Sequence, residues 1–549
     1  MLNKGVKVDL NIDNKVLVTL LLKNYNNFSQ NRNTSLYTLA DTIYPYDKFQ
    51  PSYLELKGLP YIYISPEKVE IFTGFYFAPI FYTFKFSNKI THYIISDDIF
   101  QLLYFTKHFK AHISEHVYYE FLEFGYCLAN KTLINNVHTI EPGEKLVIDS
   151  NGLRCKPIFP YEFLNFRDTK EEIIEPEELL ELIFNIIREY VDHLKMKKII
   201  LIPLSAGIDS RLVTSILYLL GLNNIVTYTY GLKDTEYPVA REIARMLGYE
   251  HIFIQYTTEL FQKYIREIIN NLPKFSQLFI SPNIQEYIAI RELSKLLFQK
   301  DKYNPGECII VTGDVPNLIV GKTPPHCVNN INDILAGLSN FFPPYPKSLI
   351  KTIRDYVIRL AAKYPYVIGG SILRCYEIMH LRERYYKFVL PLRVLYRLFG
   401  PTKYIAPLID GRIFIPFLNI PWSIRYKRGI YKKAAFKLFK DLGIDLKDPT
   451  KGAITFNSFR EYLIMHVPLR FQVKFVKLFF RRYYQLPRDA CNLHKYYPEI
   501  LKKSLYERKI KILPYNIKCA SEYLYKRAPR HFIAFISLAT LLRYCQLFT

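Results

Sequence analysis

The fold of this 549-residue chain is decided by the stretch Ile199-Ile200-Leu201-Ile202-Pro203-Leu204-Ser205-Ala206-Gly207-Ile208-Asp209-Ser210. Four consecutive apolar residues at its start favour a buried strand. The polar residues that follow lead into a segment with apolar side chains at helical spacing from Leu212 to Leu220, which Gly221 ends. The stretch therefore predicts a buried strand, a polar corner and a covering helix.

The same alternation continues towards the carboxyl terminus. Residues 225–230 predict a second strand, and the helix after it carries Pro238 in its first turn and ends at Gly248. A third strand begins at His251, and the first helix of the series begins near Pro176. Strands that alternate with helices are typical of a parallel sheet with helices on its faces, so we expect an α/β domain.

Residues 1 to about 165 have a different pattern. Short aromatic and β-branched runs, such as 61–64 and 92–95, are separated by turn-forming residues, which is typical of paired strands. A chain of 65.0 kDa is also too large for one hydrophobic core. We expect a β-rich domain over 1–165, an α/β domain over 170–460, and a basic helical extension over 461–549.

The chain carries a large positive charge. Its 74 Lys and Arg residues exceed its 50 Asp and Glu residues, which gives a net charge of +24. Such a charge attracts phosphates, nucleic acids or anionic membranes, although it is commonly solvated surface. No stacking motif of an RNA-binding module is visible, so no specific nucleic acid is predicted. Residues 469–482 mix cations and aromatics at helical spacing; we favour packing on the protein over peripheral membrane contact.

Cysteine usage and apolar runs bear on the compartment. The eight cysteines form no C-x-x-C pair, which favours a reducing cytoplasm. The first residues lack the apolar stretch of a secretory signal. The run 532–542 is shorter than the ~20 residues needed to cross a bilayer. We therefore expect a cytoplasmic protein without a transmembrane segment, and no pattern indicates its oligomeric state.

The corner after the first strand carries the candidate chemistry. Amides at a helix start are unpaired and lie at the positive end of the helix dipole, so they bind phosphate well. Gly207 allows close approach of the backbone to an anion, and Ser205 and Ser210 add hydroxyl donors. Asp209 is suited to hold the magnesium ion that bridges phosphate oxygens. The alternative is that Ser205 or Asp209 only caps the helix.

In this order, residues 205–210 resemble the S-G-G-x-D-S signature of the PP-loop ATP pyrophosphatases. These enzymes cleave ATP between the α and β phosphates and adenylate a substrate. Ala206 replaces the usual first glycine. A different phosphate loop does not fit Gly321-Lys322-Thr323, because Pro316 occupies the position of its first glycine. The resemblance implies ATP and Mg²⁺ as cofactors.

The flanking sequence resembles the asparagine synthetase family. Tyr230-Gly231 and residues 240–244 are similar to its second strand and helix, and Thr312-Gly313-Asp314 lies where the family has a glycine-acid-glycine-x-Asp-Glu stretch. Asn317 stands where the family places a magnesium-binding Asp, and an amide is a weaker ligand for a hard cation. Pro449-Thr450-Lys451-Gly452 is similar to a turn whose lysine stabilises the charge that develops during adenylation. The alternative for Lys451 is a surface lysine.

The amino-terminal domain resembles the glutamine-amidotransferase domain of the same family, an N-terminal-nucleophile (Ntn) sandwich. The resemblance is carried by residues 97–104, 124–126 and 140–143. In glutamine-using members the nucleophile is a cysteine directly after the initiator methionine, whereas this chain has Leu2. Leucine cannot form the thioester, so we expect an amidotransferase-like domain without glutaminase activity.

The resemblance implies an AMP-forming amide ligase that adenylates a carboxylate, by default aspartate, and transfers it to ammonia or an amine. Ammonia supplied by a partner protein is one expected source. The alternative is a catalytically retired PP-loop protein that serves as a binding or assembly partner, suggested by Leu2, Ala206 and Asn317 together. Lys451 and Asp314 are the implied catalytic residues, and Asp209 and Asp314 the implied metal ligands. The implied ATP-binding residues are Ser205, Ala206, Gly207, Ile208, Asp209, Ser210, Tyr230, Gly231, Thr312 and Gly313.

Overall fold

The structure is a computed structural model. It describes residues 6–444 apart from 13–14, 24, 32–33, 40–50, 75–78, 88, 107–116, 118–119, 122–123, 159–173, 234–235, 281–284, 299–302, 316–319, 322–327, 339–346, 364–371, 402 and 421. Leu2, Asn317, Lys451 and the predicted extension over 461–549 lie outside the described residues. The predicted boundary between the first two domains also falls there and stays a prediction.

The amino-terminal part contains two β-sheets. Its elements are β1 (Val6–Ile12), β2 (Val16–Leu22), β3 (Tyr25–Asn31), β4 (Thr34–Leu39), α1 (Pro51–Lys57), β5 (Tyr61–Ile64), β6 (Val69–Phe72), β7 (Phe81–Ser87), β8 (Ile90–Ser96), α2 (Ile99–Phe105), β9 (His138–Thr139), β10 (Glu144–Asp149) and β11 (Gly152–Pro157). One sheet has the order β1-β2-β8-β7-β9 and the other β11-β10-β6-β5-β4-β3. Strand β2 pairs with β8 in parallel.

Side chains from both sheets share one core. Leu20 and Ile95 of the first sheet and Ile62 and Ile71 of the second are all fully buried in the same cluster. The two sheets therefore pack face to face as a sandwich. Full burial of each such aliphatic side chain contributes roughly 1.5–3 kcal/mol, so this core stabilises the pairing of the sheets. The predicted β-rich amino-terminal domain is confirmed.

The second part of the chain contains a parallel sheet. Its strands are β12 (Ile199–Pro203), β13 (Ile225–Gly231), β14 (Glu250–Gln255), β15 (Cys308–Val311) and β16 (Lys403–Ile405). They have the order β14-β13-β12-β15-β16, and every neighbouring pair is parallel. Residues Ile199 to Ile202 are buried, as a central strand covered on both faces requires. The predicted α/β class is confirmed.

Helices cover this sheet and continue beyond it. The α-helices are α3 (Pro176–Arg188), α4 (Val191–Lys195), α5 (Ile208–Leu219), α6 (Tyr237–Met246), α7 (Thr258–Ser276), α8 (Tyr287–Phe298), α9 (Ile331–Leu338), α10 (Lys347–Lys363), α11 (Ile372–Met379), α12 (Tyr386–Phe399), α13 (Gly411–Asn419), α14 (Trp422–Arg425) and α15 (Gly429–Asp441). A six-residue π-helix, His380–Tyr385, joins α11 to α12. Within the described residues no helix is both long and apolar enough to cross a membrane.

The strand order reverses beside β12. The chain proceeds from β12 outward to β13 and β14, and it returns to build β15 and β16 on the other side. In such open sheets a ligand binds at the carboxyl ends of the strands where the order reverses. The loops that follow β12 and β15 therefore meet at the position where a ligand is expected.

Candidate active site

The loop between β12 and α5 is held closed by its two serines. The Ser205 amide donates to Oγ of Ser210 at 3.0 Å, and the two hydroxyl oxygens are 3.0 Å apart. The Gly207 amide donates to Oγ of Ser205 at 3.0 Å. Gly207 is the N-cap residue of α5 and, as a glycine, has no side chain to cap the helix. The two serines close the loop ahead of α5, and the roles of Ser205 and Asp209 towards a nucleotide stay predictions.

In this loop two backbone carbonyls accept hydrogen bonds, whereas several backbone amides have no acceptor among the described residues; these amides are called open amides below. Arg211, which is fully buried, donates from Nε to the Gly207 carbonyl at 3.1 Å and from Nη2 to the Ala206 carbonyl at 3.0 Å. The amides of Ala206, Ile208 and Asp209 find no acceptor within the described part of the chain. Open amides above a buried guanidinium favour an anion. Arg211 was not predicted, although a cation in the first turn of an apolar helix is a usable signal.

The loop after β15 lies directly against the start of α5. A Cβ added to Gly313 would be 2.6 Å from the Asp209 carbonyl carbon and 2.6 Å from the Ser210 nitrogen. Glycine is therefore required for this approach. The Thr312 amide donates to the Ile405 carbonyl at 2.9 Å, which fixes the end of β15 against β16. Thr312 and Gly313 are thus brought to the loop that was singled out from sequence.

Asp314 accepts two hydrogen bonds at this corner. Oγ1 of Thr312 donates to its Oδ2 at 2.7 Å, and the Tyr404 hydroxyl donates to the same oxygen at 2.9 Å. Burial raises the pKa of Asp314, and the nearby Asp209 carboxylate raises it further, while the two hydrogen bonds oppose this change. A buried carboxylate such as Asp314, whose ionisation is disfavoured by burial and by a nearby second carboxylate, is suited to share a cation with that neighbour.

The chemistry of these two carboxylates fits the donor set that Mg²⁺ prefers. Among the described residues, no group of three or more His, Cys, Asp and Glu could hold a metal alone. Mg²⁺ is usually bound through one or two carboxylates together with substrate phosphates and water. Asp209 and Asp314 are the residues that would hold it.

Asp209 also has a cationic partner within the protein. Nη2 of Arg428 forms an ion pair with Oδ1 of Asp209, with side-chain exposures of 7% and 23% respectively. Arg428 has φ of 62° at the start of α15, its amide donates to the Gly321 carbonyl at 3.3 Å, and its guanidinium lies 4.5 Å from the Tyr431 ring centroid. Arg428 was not assigned to the site from the sequence.

The remaining predicted nucleotide contacts lie on the neighbouring strand. Tyr230 and Gly231 end β13, which pairs with β12 and so reaches the same edge of the sheet. The Tyr256 amide donates to the Gly231 carbonyl at 2.9 Å, and the Tyr230 and Tyr256 rings stack with centroids 5.7 Å apart. Tyr230 and Gly231 therefore lie at the carboxyl ends of the strands, and their contact with a nucleotide stays a prediction.

A buried glutamate lies behind this edge. Glu286 accepts a hydrogen bond from the Tyr228 hydroxyl at 2.5 Å and another from the Tyr396 hydroxyl at 2.8 Å. The Tyr396 ring centroid is 5.5 Å from that of Tyr404, which bonds Asp314. Burial raises the pKa of Glu286 to about 7, and the charge of Asp314 contributes to the rise. Glu286 lies in no recognisable motif, and sequence reasoning missed it.

Glu286→Gln is expected to reduce the pH dependence of the free energy of unfolding. The folded protein keeps this proton up to pH about 7, whereas the ordinary pKa is 4.5, so the wild type loses stability as pH rises through this window. The loss amounts to about 3 kcal/mol at 1.36 kcal/mol per unit. Denaturant unfolding at pH 5 and pH 8 tests this, because the variant should gain relative to wild type at pH 8. An equal stability difference at both pH values would contradict it.

Comparison with known proteins gives one family match. Residues 187–296 match the family described as asparagine synthase. No curated protein matches the chain. This range includes β12, β13 and β14 together with the Ser205–Ser210 loop.

Among solved structures, three similar chains are NAD synthetases, all with TM-scores well below 0.5. The NH3-dependent NAD synthetase of Campylobacter jejuni in complex with nitrate has a TM-score of 0.21 and 16% identity over 39% of this chain and 96% of its own. The NAD+ synthetase of Burkholderia pseudomallei has a TM-score of 0.17 and 14% identity, over 42% of this chain and 84% of its own. The glutamine-dependent NAD+ synthetase of Acinetobacter baumannii in complex with ADP has a TM-score of 0.18 and 13% identity, over 53% of this chain and 60% of its own.

The family match and the geometry concern the same loop. The corner after β12 has the open amides, and the matched range contains the serines and the aspartate that were recognised from sequence. Asparagine synthase domains are the ATP-binding units of ATP-dependent ligases. Over residues 187–296 the chain therefore carries an asparagine-synthase-type PP-loop domain.

Proposed function

We propose that the chain is an ATP-dependent, AMP-forming amide ligase that adenylates a carboxylate and passes the acyl group to ammonia or an amine. The observation that carries this proposal is the contact of the Ser205–Ser210 loop with Gly313, which brings open amides and two carboxylates to one corner. Aspartate is the default carboxylate, by resemblance. By the same resemblance, ammonia or an amine, and not glutamine, is the proposed nitrogen source.

The proposed nucleotide contacts follow from the peptide groups of the corner. The amides of Ala206, Ile208 and Asp209 would bind the β and γ phosphates, and buried Arg211 would add positive charge beneath them. Tyr230, Gly231, Thr312 and Gly313 would lie near the nucleoside. Arg428 would exchange its bond with Asp209 for phosphate oxygens, which a guanidinium binds strongly.

The proposed reaction has two steps. An oxygen of the substrate carboxylate attacks the α phosphorus of ATP, and pyrophosphate leaves with the electrons of the broken P–O bond. The amine nitrogen then attacks the acyl carbon, AMP leaves, and the nitrogen gives up a proton. Asp314, whose pKa is raised by burial, is the proposed acceptor of that proton after pyrophosphate has left.

Two further groups complete this scheme. Asp209 and Asp314 would hold Mg²⁺ during adenylation, where the bound ion neutralises phosphate charge. Lys451 is proposed to stabilise the charge developing on the α phosphate. We further propose a cytoplasmic location, in keeping with the expectation from the sequence.

The full chain is expected to catalyse exchange of labelled pyrophosphate into ATP when Mg²⁺ and the correct carboxylate are present. A panel of carboxylates, beginning with aspartate, identifies the substrate, and calorimetry with Mg–ATP measures nucleotide binding independently of it. Ammonia should support amide formation, and glutamine should not replace it. A protein that does not bind Mg–ATP would contradict the proposal.

A second candidate function is a retired PP-loop protein that binds or assembles with a partner. The observation that favours it is the ion pair between Asp209 and Arg428, since a protein cation then occupies the proposed metal ligand. The two functions differ in one property. A ligase must bind Mg–ATP, whereas a retired site has no such requirement.

A further inference from the structure

Tyr385 has a buried hydroxyl within electrostatic range of the proposed site. No described residue forms a hydrogen bond with this hydroxyl, and its oxygen is shielded from solvent although the ring is partly exposed. Burial raises its pKa well above the usual value, and Asp314, Tyr404 and Asp209 are close enough to raise it further. Tyr385 therefore remains a protonated phenol, a hydrogen-bond donor that interacts electrostatically with both site carboxylates.

The backbone around Tyr385 is irregular. Tyr385 is the last residue of the π-helix His380–Tyr385. Such insertions in α-helices are rare and occur frequently at functional sites. Arg382 and Glu383 of the same turn are each only 1% exposed, and buried charges must be paired with other groups.

One set of partners belongs to a segment of the amino-terminal part, residues 126–133, which we call the strap. The Ala129 amide donates to both carboxylate oxygens of Glu383 at 3.2 Å. Nζ of Lys387 donates to the Cys127 carbonyl at 2.5 Å and forms an ion pair with Glu383 at 2.5 Å. Ala129 has φ of 54°, which is uncommon for a residue other than glycine. Its strained backbone is held where these contacts are made.

A second set of partners fixes the same turn. Arg382 forms ion pairs with Glu141 and, at 3.1 Å, with Glu144, and Lys363 binds Glu144 at 2.9 Å. Removal of one member would leave a charge without its partner, which is costly in a buried place. The charges of the cluster balance: Arg382, Lys363 and Lys387 oppose Glu141, Glu144 and Glu383.

The strap also holds the turn that precedes Glu286 in the chain. The Cys127 amide donates to the Phe279 carbonyl at 2.8 Å, and the Leu133 amide donates to the Leu278 carbonyl at 2.9 Å. The strap therefore contacts two segments of the chain. One precedes Glu286 and the other contains Tyr385, and both of these residues interact electrostatically with Asp314.

We propose that Tyr385 donates its hydroxyl hydrogen to a phosphate oxygen of bound Mg–ATP, and that the strap positions it through Glu383 and Lys387. The inference rests on the proposed nucleotide binding and adds a role for the amino-terminal part. That part would serve as a fixed support for the nucleotide site. Tyr385 would contact the ligand, whereas Glu383 and Lys387 would be positioning residues.

The ligand contact is tested by Tyr385→Phe in the full chain. The variant keeps the ring, so its thermal unfolding should match that of the wild type, and the Kd for Mg–ATP should rise roughly tenfold, as expected for a hydrogen bond to a charged group. Tyr376→Phe is the matched control: this tyrosine is fully buried, and its pKa is raised by burial and opposed by Arg384, with no contribution from the site carboxylates. An unchanged Kd in Tyr385→Phe, or an equal rise in both variants, would overturn the proposal.

The positioning role is tested by Lys387→Met. Its Kd for Mg–ATP should rise about as much as that of Tyr385→Phe, and the double variant should be no worse than either, because both changes remove one interaction. Lys57→Met is the control, since Lys57 is fully buried and joins the two parts of the chain through Glu189 at 2.5 Å. It should change stability and leave the Kd unchanged.

The outcomes separate this inference from the proposed function. If the wild-type protein and the Tyr385→Phe variant bind Mg–ATP equally well, the inference is wrong and the proposed function is unaffected. If the wild-type protein does not bind Mg–ATP, both the inference and the proposed function are wrong. Additive effects of Lys387→Met and Tyr385→Phe would show that Lys387 does not act through Tyr385.

Discussion

Replacing Asp209 with asparagine is expected to lower the rate of Mg²⁺-dependent pyrophosphate exchange by on the order of 100-fold, the loss typical when one group that stabilises developing charge is removed. The substitution keeps the size of the side chain but removes its negative charge. The variant would hold Mg²⁺ less well, because neutral amides are weaker ligands for this ion. Exchange assays over a range of Mg²⁺ concentrations test this, and the rate should recover in part as Mg²⁺ is raised.

A matched control addresses the loss of charge alone. Glu242→Gln removes a carboxylate from the exposed side of α6, where Glu242 is paired with Arg245 at 2.7 Å, and it should leave the rate unchanged. The thermal unfolding of Asp209→Asn must also be measured, because Asp209 is paired with Arg428. A folded Asp209→Asn protein with a normal exchange rate would exclude the proposed role of the loop.

Replacing Gly313 with alanine is expected to disrupt nucleotide binding and to lower the free energy of unfolding by about 1–3 kcal/mol, as overpacking does. The added Cβ would lie 2.6 Å from backbone atoms of both Asp209 and Ser210. Backbone cannot move aside as the end of a flexible side chain can, so the start of α5 must shift. Denaturant unfolding and calorimetry with Mg–ATP measure the two effects.

Gly306→Ala is the control for this substitution. Apart from its two neighbours in the chain, no heavy atom of the described residues lies within 4 Å of a Cβ at that position, so the change should alter neither stability nor Mg–ATP affinity beyond a few tenths of a kcal/mol. If Gly313→Ala had the same stability and Mg–ATP affinity as Gly306→Ala, this would contradict the close contact between Gly313 and the start of α5.

The parts of the fold that depend on local pattern were predictable. The apolar run at Ile199–Ile202 became β12, and the helix ended by Gly221 became α5, because burial and helical periodicity are encoded within a few residues. The strand and helix that follow were also found in the predicted order. The loop that these elements flank could therefore be located as well.

The parts of the site that depend on distant contacts were not predictable. Arg428 is 219 residues from its partner Asp209, and Glu286 is 110 residues from Tyr396. Neither periodicity nor spacing identifies such pairs, which arise only when separate elements pack together. Arg211 is a different case, because it lies one residue after the recognised signature and bonds the same loop. Tyr385 depends on a π-helix, for which the sequence carries no recognised signal.

The strand order of the parallel sheet has a consequence for how the protein can be divided. The family match ends at residue 296, whereas β15, which pairs with one side of the central strand, begins at Cys308. A fragment limited to 187–296 would expose that side of β12 as a bare edge, and bare apolar edges invite aggregation. Parallel pairings between segments so far apart in the chain also form slowly. The phosphate-binding corner should therefore be among the last features to mature during folding, and shortened versions of the chain are expected to precipitate before they acquire it.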